Sequence, residues 1–373
     1  MISIVIPTLN EAGVISETLR RAAAALGTTS EDFEIVVVDD CSMDGTAGLA
    51  ECLAKELPVR VLMRPGRLGL ATAVLDGWAL ASGDVLGVMD ADLQHPPETL
   101  GPLVQAIRQQ GADLAIGSRY VPGGGTSDWT WARRLVSRTA THMAATVLPL
   151  MLATVGDPMS GIFLVRASAL KDVDLNPLGY KILLEVLAKA HYRKVVEVPY
   201  VFEERERGHS KLGKRQYWEF LLHLARLAKC TGQLTRWIRY SLVGLLGALI
   251  DIGLFYELVA RQAWRPAGAI AVAIEVALLC NFLGNEMFTF RPAETSQFQR
   301  GFLGGLLHYE WVCLPGAILN LLVTLLGLSW GWGVVTAAAL GVAAGGLFNL
   351  VFNVPAIWRT WERPLPAPLS RRT

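Results

Sequence analysis

Three oxygen-bearing side chains at alternate positions form the cluster in this sequence that is best suited to chemistry. Asp90, Asp92 and Gln94 follow the apolar run 85–89, which has the composition of a buried strand. Carboxylates at i and i+2, with an amide oxygen at i+4, are hard ligands that suit Mg²⁺ or Mn²⁺ held jointly with substrate phosphates. A solvated acidic turn after a strand is the alternative. Other polar clusters at neighbouring strand ends favour the metal site.

Two such clusters occur earlier in the chain, at 7–11 and 39–44, and each follows an apolar run. Several of their side chains suit the start of a helix, and Asp44 or Ser42 is a candidate N-cap. Asp39 and Asp40 are additional to capping and are able to accept hydrogen bonds from a base or a ribose. Three polar clusters at successive strand ends predict one shared ligand site.

The elements that must position these clusters alternate between residues 2 and 116. Short apolar runs predict strands, and longer periodic segments between them predict helices. The predicted strands are 2–6, 34–38, 59–62, 85–89 and 114–116, and the predicted helices lie near 11–26, 45–57, 70–82 and 97–110. This alternation indicates an α/β fold with a mostly parallel sheet covered on both faces. Ligands of such sheets lie beyond the carboxyl ends of the strands, where the polar clusters fall.

The middle of the chain is less regular. Residues 117–160 show no clear period, and the Pro-Gly-Gly-Gly run at 122–125 predicts a loop. The apolar stretch 143–155 is too short to span a bilayer and favours a buried or interfacial helix. Residues 213–236 combine basic, aromatic and leucine side chains at helical spacing, which is typical of a helix lying along an anionic membrane surface.

The last third of the chain is strongly apolar. Segments near 241–260, 267–288, 303–327 and 333–354 each hold close to the ~20 apolar residues that a bilayer requires. Arginines cluster before the first, between the second and third, and after the fourth of these segments. They are Arg236, Arg239, Arg291, Arg300, Arg359, Arg363, Arg371 and Arg372. By the positive-inside rule, both termini are expected in the cytoplasm.

Composition and charge agree with an intracellular protein that does not bind nucleic acid. The 373 residues carry a net charge of +1, which argues against a nucleic-acid binder. Five scattered cysteines form no CxxC pair, which is typical of reduced thiols. The first residues are apolar without a basic leader, so a first strand is expected there rather than a signal peptide.

A series of motifs resembles the family-2 glycosyltransferases of the dolichol-phosphate mannose synthase type. These are VIPTLNE at 5–11, VVDDCSMDGT at 37–46, GLATAVLDG at 69–77, DADLQHPP at 90–97, GSRY at 117–120, DPMSG at 157–161, GYKILLE at 179–185 and VPYVFEERERGHSKL at 198–212. The C-terminal part resembles the GtrA-like four-helix membrane domain through RYSLVGLLGALID at 239–251 and NFLGNEMFTF at 281–290. Glu286 departs from that second pattern, which commonly has Arg there.

The resemblance implies a GT-A, Rossmann-like catalytic domain at 1–212, juxtamembrane helices at 213–237, a transmembrane bundle of about four helices at 238–358 and a tail at 359–373. It also implies site roles. Nucleotide-sugar contacts are expected from Pro7, Glu11, Asp39, Asp40, Arg205, Ser210 and Lys211. Metal and diphosphate contacts are expected from Asp90, Asp92 and Gln94, and acceptor-phosphate contacts from Arg119, with Arg133 as a second candidate.

The implied reaction is inverting transfer of a hexose to a polyprenyl or dolichyl monophosphate, with Mg²⁺ or Mn²⁺. GDP-mannose is the favoured donor, and a UDP-hexose such as UDP-glucose is the alternative. A phosphate acceptor is already an anion at pH 7, so no general base is required. His95, followed by two prolines, is expected to have a structural role. A lipid flippase or membrane scaffold with an inactive soluble domain is the non-enzyme alternative.

Overall fold

The computed structural model describes residues 1–127, 129–148, 155–203, 214–289 and 301–350. The chain divides into two units, Met1–Leu227 and Ala228–Thr373. The first unit contains all the described strands, and the helices of the second are mostly apolar. The division falls within the segment 213–237 that the sequence predicts as juxtamembrane.

A seven-stranded mixed sheet is the frame of the first unit. The described strands of the unit, including two outside this sheet, are β1 (Ile2–Thr8), β2 (Phe33–Asp39), β3 (Val59–Met63), β4 (Val85–Val88), β5 (Leu114–Ser118), β6 (Gly125–Thr126), β7 (Phe163–Arg166), β8 (Val195–Pro199) and β9 (Val201–Phe202). The sheet order is β3-β2-β1-β4-β7-β5-β8, and β6 pairs with β9 separately. β7 is antiparallel to both of its neighbours, and the other pairs are parallel. The expected mostly parallel α/β sheet is confirmed.

Helices cover both faces of this sheet. They are α1 (Ile15–Gly27), α2 (Thr46–Leu53), α3 (Leu70–Leu80), α4 (Leu100–Arg108), α5 (Trp131–Val147), α6 (Ile182–Lys189) and α7 (Lys214–Cys230). Along β1, Ile4 packs in the core with α1 and α4, whereas Val5 packs in the core with α3 and α6. Successive strand residues point to opposite faces, so burial of both faces explains the continuous apolar runs.

The prediction of irregular structure over 117–160 was wrong for α5. This helix has a mixed polar surface, and its start is fixed by Thr130, whose hydroxyl accepts the backbone N–H of Arg133 at 3.3 Å. The predicted apolar helix at 143–155 corresponds in part to the end of α5, and residues 149–154 lie outside the described residues. The strands β7 and β8 were not predicted, because short buried strands carry little periodicity of their own.

The second unit consists of four described helices. α8 (Gln233–Tyr256) and α9 (Pro266–Gly284) each continue into a π-helical turn, and α10 (Gly301–Ser329) and α11 (Val334–Phe348) follow. Within the described residues, three helices are long and apolar enough to cross a membrane: 233–261, 266–289 and 302–329. α11 is apolar but shorter, and the predicted span 333–354 runs past Leu350, beyond which nothing is described.

Polar side chains link the helices of the second unit. Asp251 on α8 is 4% exposed and accepts a hydrogen bond from the amide of Asn320 on α10 at 2.8 Å. Asn320 in turn accepts from the hydroxyl of Thr324 at 3.2 Å. Such interhelical hydrogen bonds are common where polar groups occur inside transmembrane bundles.

Candidate active site

The carboxyl ends of β1, β2 and β4 meet at one edge of the sheet, because these neighbouring strands run parallel. Thr8 of β1 lies in register with Asp39 of β2, and Asp90 comes two residues after the end of β4. The three polar clusters therefore share one sheet edge, as the sequence predicts. This is the position at which open α/β sheets bind ligands.

Asp39 organises the turn after β2. Its carboxylate, 2% exposed, accepts hydrogen bonds from the Thr8 hydroxyl at 2.9 Å and from the Ser42 hydroxyl at 2.6 Å. It also accepts the backbone N–H of Ser42 at 2.8 Å. The Ser42 hydroxyl accepts the N–H of Asn10, which ties the first cluster to the second. A nucleotide contact by Asp39 stays a prediction.

The start of α2 joins the same two clusters. The prediction of Asp44 or Ser42 as the N-cap of α2 was wrong, because Gly45 occupies that position. Asp44 nevertheless accepts the backbone N–H of Thr46 at 3.1 Å, a donor in the first turn of the helix. Ser42 plays no such capping role. The Thr46 hydroxyl accepts the backbone N–H of Glu11 at 2.9 Å. Glu11 is thereby held beside α2, and Pro7 is buried within β1.

Asp40 shapes the loop before α3. Its carboxylate accepts from the Arg64 guanidinium at 2.8 Å and from the backbone N–H groups of Leu68 and Gly69 at 2.9 and 2.8 Å. Asp40 and Arg64 are 5% and 6% exposed. A buried pair with this many hydrogen bonds fixes the loop at the edge of the site. Contact between Asp40 and a nucleotide stays a prediction.

The expected metal ligands lie together after β4. Asp92 and Gln94 are each 8% exposed, and the Asp90 side chain is 29% exposed. The Gln94 backbone N–H donates to Asp92 at 3.2 Å. The Gln94 amide nitrogen donates to the Glu203 carbonyl at 3.3 Å, which leaves the amide oxygen for a cation. Leu93 between them has φ of 60°, a left-handed bend that turns the chain.

This donor set fits Mg²⁺ or Mn²⁺ shared with a diphosphate. Two carboxylates and an amide oxygen are typical of such sites, where phosphate oxygens and water complete the coordination. No group of three or more His, Cys, Asp or Glu side chains suited to a metal occurs in the part of the chain that the structure describes.

A glycine allows the loop 157–161 to pack on these ligands. A methyl group added at Gly161 would overlap Oδ2 of Asp90 and lie 2.8 Å from Cε1 of His95. The Gly161 N–H donates to Nε2 of His95 at 3.3 Å. Burial lowers the pKa of His95 to about 4, so the ring is neutral with its proton on Nδ1, which lies 3.7 Å from Asp90. His95 therefore supports this loop, in agreement with the predicted structural role.

Arg119 is held rigidly at the end of β5. Its guanidinium donates two hydrogen bonds to Asp157, both at 2.7 Å, and its backbone N–H donates a third at 3.0 Å. Arg119 is 8% exposed and Asp157 is fully buried. The guanidinium also lies about 5.5 Å from the rings of Trp129 and Phe202. Charge pairing and aromatic contacts together fix its orientation.

A cavity of about 250 Å³ opens beside Arg119. Its lining is cationic and aromatic and consists of Arg119, Tyr120, Gly125, Thr126, Trp129, Arg134 and Arg138. Arg133, the second candidate for the acceptor phosphate, does not line it and lies over the Trp129 ring at 4.5 Å. Sequence reasoning missed Arg134 and Arg138. Their i, i+4 spacing would have placed them on one face, had α5 been predicted.

Lys181 was also missed, although the motif GYKILLE contains it. Its ammonium donates to the Met159 carbonyl at 2.6 Å and lies 4.9 Å from the Tyr180 ring. Burial, followed by the charge of Arg119, lowers the pKa of Lys181 to about 8, and Asp90 acts in the opposite direction. Lys181 is therefore within electrostatic range of Asp90.

Three predicted donor contacts fall on one segment of the chain. Arg205, Ser210 and Lys211 belong to 204–213, which lies outside the described residues. Their predicted closure over the donor phosphates stays a prediction.

Comparison with known proteins is informative for both units. Residues 3–174 match the model of glycosyl transferase family 2, and residues 239–358 match the GtrA/DPMS transmembrane domain. A dolichol-phosphate mannosyltransferase of Pyrococcus furiosus is 40% identical over 360 residues, covering 96% of this chain and 99% of the relative.

Two further relatives each match 60% of this chain. A polyprenol monophosphomannose synthase of Mycolicibacterium smegmatis is 38% identical, covering 60% of this chain and 84% of its own. A dolichol-phosphate mannosyltransferase of Saccharomyces cerevisiae is 36% identical, covering 60% and 86%. The sequence resemblance is thus confirmed over both units. The chain belongs to the dolichol-phosphate mannosyltransferase family, with a family-2 glycosyltransferase domain followed by a GtrA/DPMS transmembrane domain.

Proposed function

We propose that the protein transfers mannose from GDP-mannose to a polyprenyl or dolichyl monophosphate, with Mg²⁺ or Mn²⁺ as the cofactor. The observation that carries this proposal is the pairing of a metal-type carboxylate site with an arginine-lined cavity. Asp157 connects them, because it pairs with Arg119 of the cavity and belongs to the loop that packs on Asp90 through Gly161. One side suits a nucleoside diphosphate and the other a monophosphate.

The chain supplies positioning and charge for this reaction. A divalent cation bound at Asp90, Asp92 and Gln94 would offset the negative charge that develops on the departing nucleoside diphosphate. The acceptor phosphate would lie in the cavity against Arg134 and Arg138, and Arg119, which is held in a fixed orientation, would line the same cavity. Holding two anions in one orientation lowers the entropic part of the barrier.

No protein base is needed at the acceptor, because a phosphate monoester is ionised at neutral pH. His95 is unsuited to that task, since its accepting nitrogen is already used by the Gly161 N–H. Direct attack of the acceptor oxygen on the anomeric carbon gives a single displacement. The expected product is therefore the β-linked sugar, with inversion at that carbon.

The membrane unit fits a lipid acceptor. We infer that the arginine-flanked spans keep both termini, and with them the catalytic unit, in the cytoplasm. The domain limits 1–212, 213–237, 238–358 and 359–373 are part of the same proposal. Reporter fusions at the two termini test the cytoplasmic location of the termini, and an extracytoplasmic signal from either fusion would contradict that location.

The test of the reaction uses isolated membranes that contain the full-length protein. Labelled GDP-mannose, polyprenyl phosphate and Mg²⁺ are expected to give a lipid-extractable labelled product, which EDTA and Asp92→Ala abolish. Asp32→Ala is the matched control, because Asp32 is exposed and precedes β2 at the opposite edge of the sheet. It should leave the yield unchanged.

Parallel reactions with UDP-glucose identify the donor. Label from UDP-glucose alone would move the assignment to a glucosyltransferase. No labelled lipid with any nucleotide sugar would favour the scaffold alternative. Full activity of Asp92→Ala would remove the metal assignment.

A further inference from the structure

The loop 157–161 holds a lysine ammonium at Met159 and packs on Asp90 through Gly161. Lys181 immediately precedes α6, and its Nζ donates to the Met159 carbonyl at 2.6 Å. Met159 is 6% exposed and belongs to the same loop whose Gly161 packs on Asp90. The ammonium is thus held in place by backbone that is itself fixed against the site.

The positive charge of Lys181 is less compensated by nearby carboxylates than that of Arg119. Arg119 forms a bidentate ion pair with the fully buried Asp157, so its charge is locally compensated. Among the residues that the structure describes, Lys181 has no carboxylate within ion-pair distance, and its hydrogen bond goes to a neutral carbonyl. Asp90 and Asp157 nevertheless act on it electrostatically. The loop that holds Lys181 through Met159 also contacts Asp90 through Gly161, so the positive charge acts on Asp90.

We propose that Lys181 is a resident positive charge near Asp90 of the metal-type site, and that it keeps the affinity for a free divalent cation low until a diphosphate binds. This inference rests on the metal site of the proposed function. A fixed ammonium repels an incoming Mg²⁺ or Mn²⁺, and it attracts the phosphate oxygens that accompany the metal. Metal and nucleotide therefore load together, with Lys181 as a positioning residue.

A purely structural lysine would behave differently. If Lys181 served only to tie down the Met159 carbonyl, a neutral donor of similar reach would replace it without consequence for metal binding. Lys181→Gln keeps a hydrogen-bond donor and removes the charge, whereas Lys181→Arg keeps the charge. Lys194 offers a matched control, because its Nζ also donates to a backbone carbonyl, that of Gln110, at 2.6 Å, and it is exposed.

The experiment measures Mn²⁺ binding to the full-length protein in an uncharged detergent, by the electron paramagnetic resonance signal of free Mn²⁺. Wild type, Lys181→Gln, Lys181→Arg and Lys194→Gln are titrated with and without GDP. Without GDP, Lys181→Gln is expected to bind Mn²⁺ at least about fivefold more tightly than wild type. Lys181→Arg and Lys194→Gln should match wild type. The gain in Mn²⁺ affinity caused by GDP should be large in wild type and smaller in Lys181→Gln.

Equal Mn²⁺ affinity of Lys181→Gln and wild type without GDP would overturn the proposal, and so would weaker binding by Lys181→Gln. If Lys181→Gln is not recovered as a folded, monodisperse protein, Lys181→Met carries the same expectation. The GDP effect in wild type is a further test, and its absence also overturns the proposal. Asp92→Ala distinguishes failure of the proposed metal site from failure of the proposed role of Lys181. Mn²⁺ binding that survives Asp92→Ala refutes the metal site itself. Mn²⁺ binding that depends on Asp92 but not on Lys181 refutes only the role of Lys181.

Discussion

Gly161→Ala is the substitution whose effect the structure defines most sharply. The added methyl would overlap Oδ2 of Asp90 and approach Cε1 of His95 to 2.8 Å. His95 cannot retreat, because it is 4% exposed and packs against the rings of Tyr200 and Phe202 at 5.4 and 5.1 Å. Asp90 is the more exposed of the two neighbours, so its carboxylate is the group expected to move.

The required displacement of the Asp90 carboxylate is about 1 Å, the distance that restores ordinary van der Waals contact. A misplacement of this size in a catalytic group costs roughly 100-fold in rate, or about 2.7 kcal/mol of transition-state stabilisation. We therefore expect kcat/KM for sugar transfer to fall about 100-fold, with a matching loss of Mn²⁺ affinity. Because the strain is relieved outward, overpacking should destabilise the fold by only about 1 kcal/mol.

The assay compares initial rates, Mn²⁺ binding and thermal unfolding of the purified full-length protein. Gly48→Ala is the control, since a methyl group there would meet nothing within 4 Å and Gly48 lies within α2. It should leave all three quantities near wild type. A folded Gly161→Ala protein with kcat/KM within threefold of wild type would refute the claim that this loop packs on the catalytic carboxylate.

Other substitutions test the rest of the site. Asp157→Asn leaves the buried Arg119 guanidinium without its counter-charge, so we expect a loss of about 3 kcal/mol in the free energy of unfolding, seen in denaturant titration; an unchanged midpoint would contradict the pair. Arg138→Gln should raise KM for the lipid phosphate about tenfold and leave KM for the nucleotide sugar unchanged, and the reverse pattern would place the acceptor elsewhere. Burial lowers the pKa of His223 to about 4, although the charge of Glu185 raises it. The contribution of the neutral ring to the free energy of unfolding is therefore complete above pH 6.5, and up to about 3 kcal/mol of it is lost as the pH falls to 4. In thermal unfolding at a series of pH values, His223→Gln should reduce this dependence of stability on pH. An equal dependence in the variant and in wild type would refute the assignment.

The acidic loss at His223 follows from its surroundings. The ring is fully buried between α6 and α7, where Nδ1 accepts the N–H of Leu178 at 3.2 Å and Nε2 lies 3.6 Å from Glu185. Lys189 and Arg226 also pair with Glu185, so a second proton on the ring would place a positive charge close to two others. The unfolded chain binds that proton more readily, which is why acid favours unfolding.

Local pattern was enough to place much of this protein. The strands around Val5, Val36 and Val88 are apolar on both faces, which dictates a sheet covered by helices on each side. Asp90 and Asp92 directly follow one of those strands, so parallel topology alone predicts their position at the ligand-binding edge. Long apolar segments likewise predicted four spans from composition, and three of them correspond to described helices that are long and apolar enough to cross a membrane.

Only the tertiary structure decided which distant groups complete the site. The antiparallel strand β7 lies between β4 and β5, and this insertion brings the loop before it onto Asp90. Asp157 thereby meets Arg119, 38 positions away along the chain, and Lys181 meets the carbonyl of Met159. A short strand and a single charged residue have no periodicity that reveals a partner, because pairing over such distances depends on how the sheet is ordered.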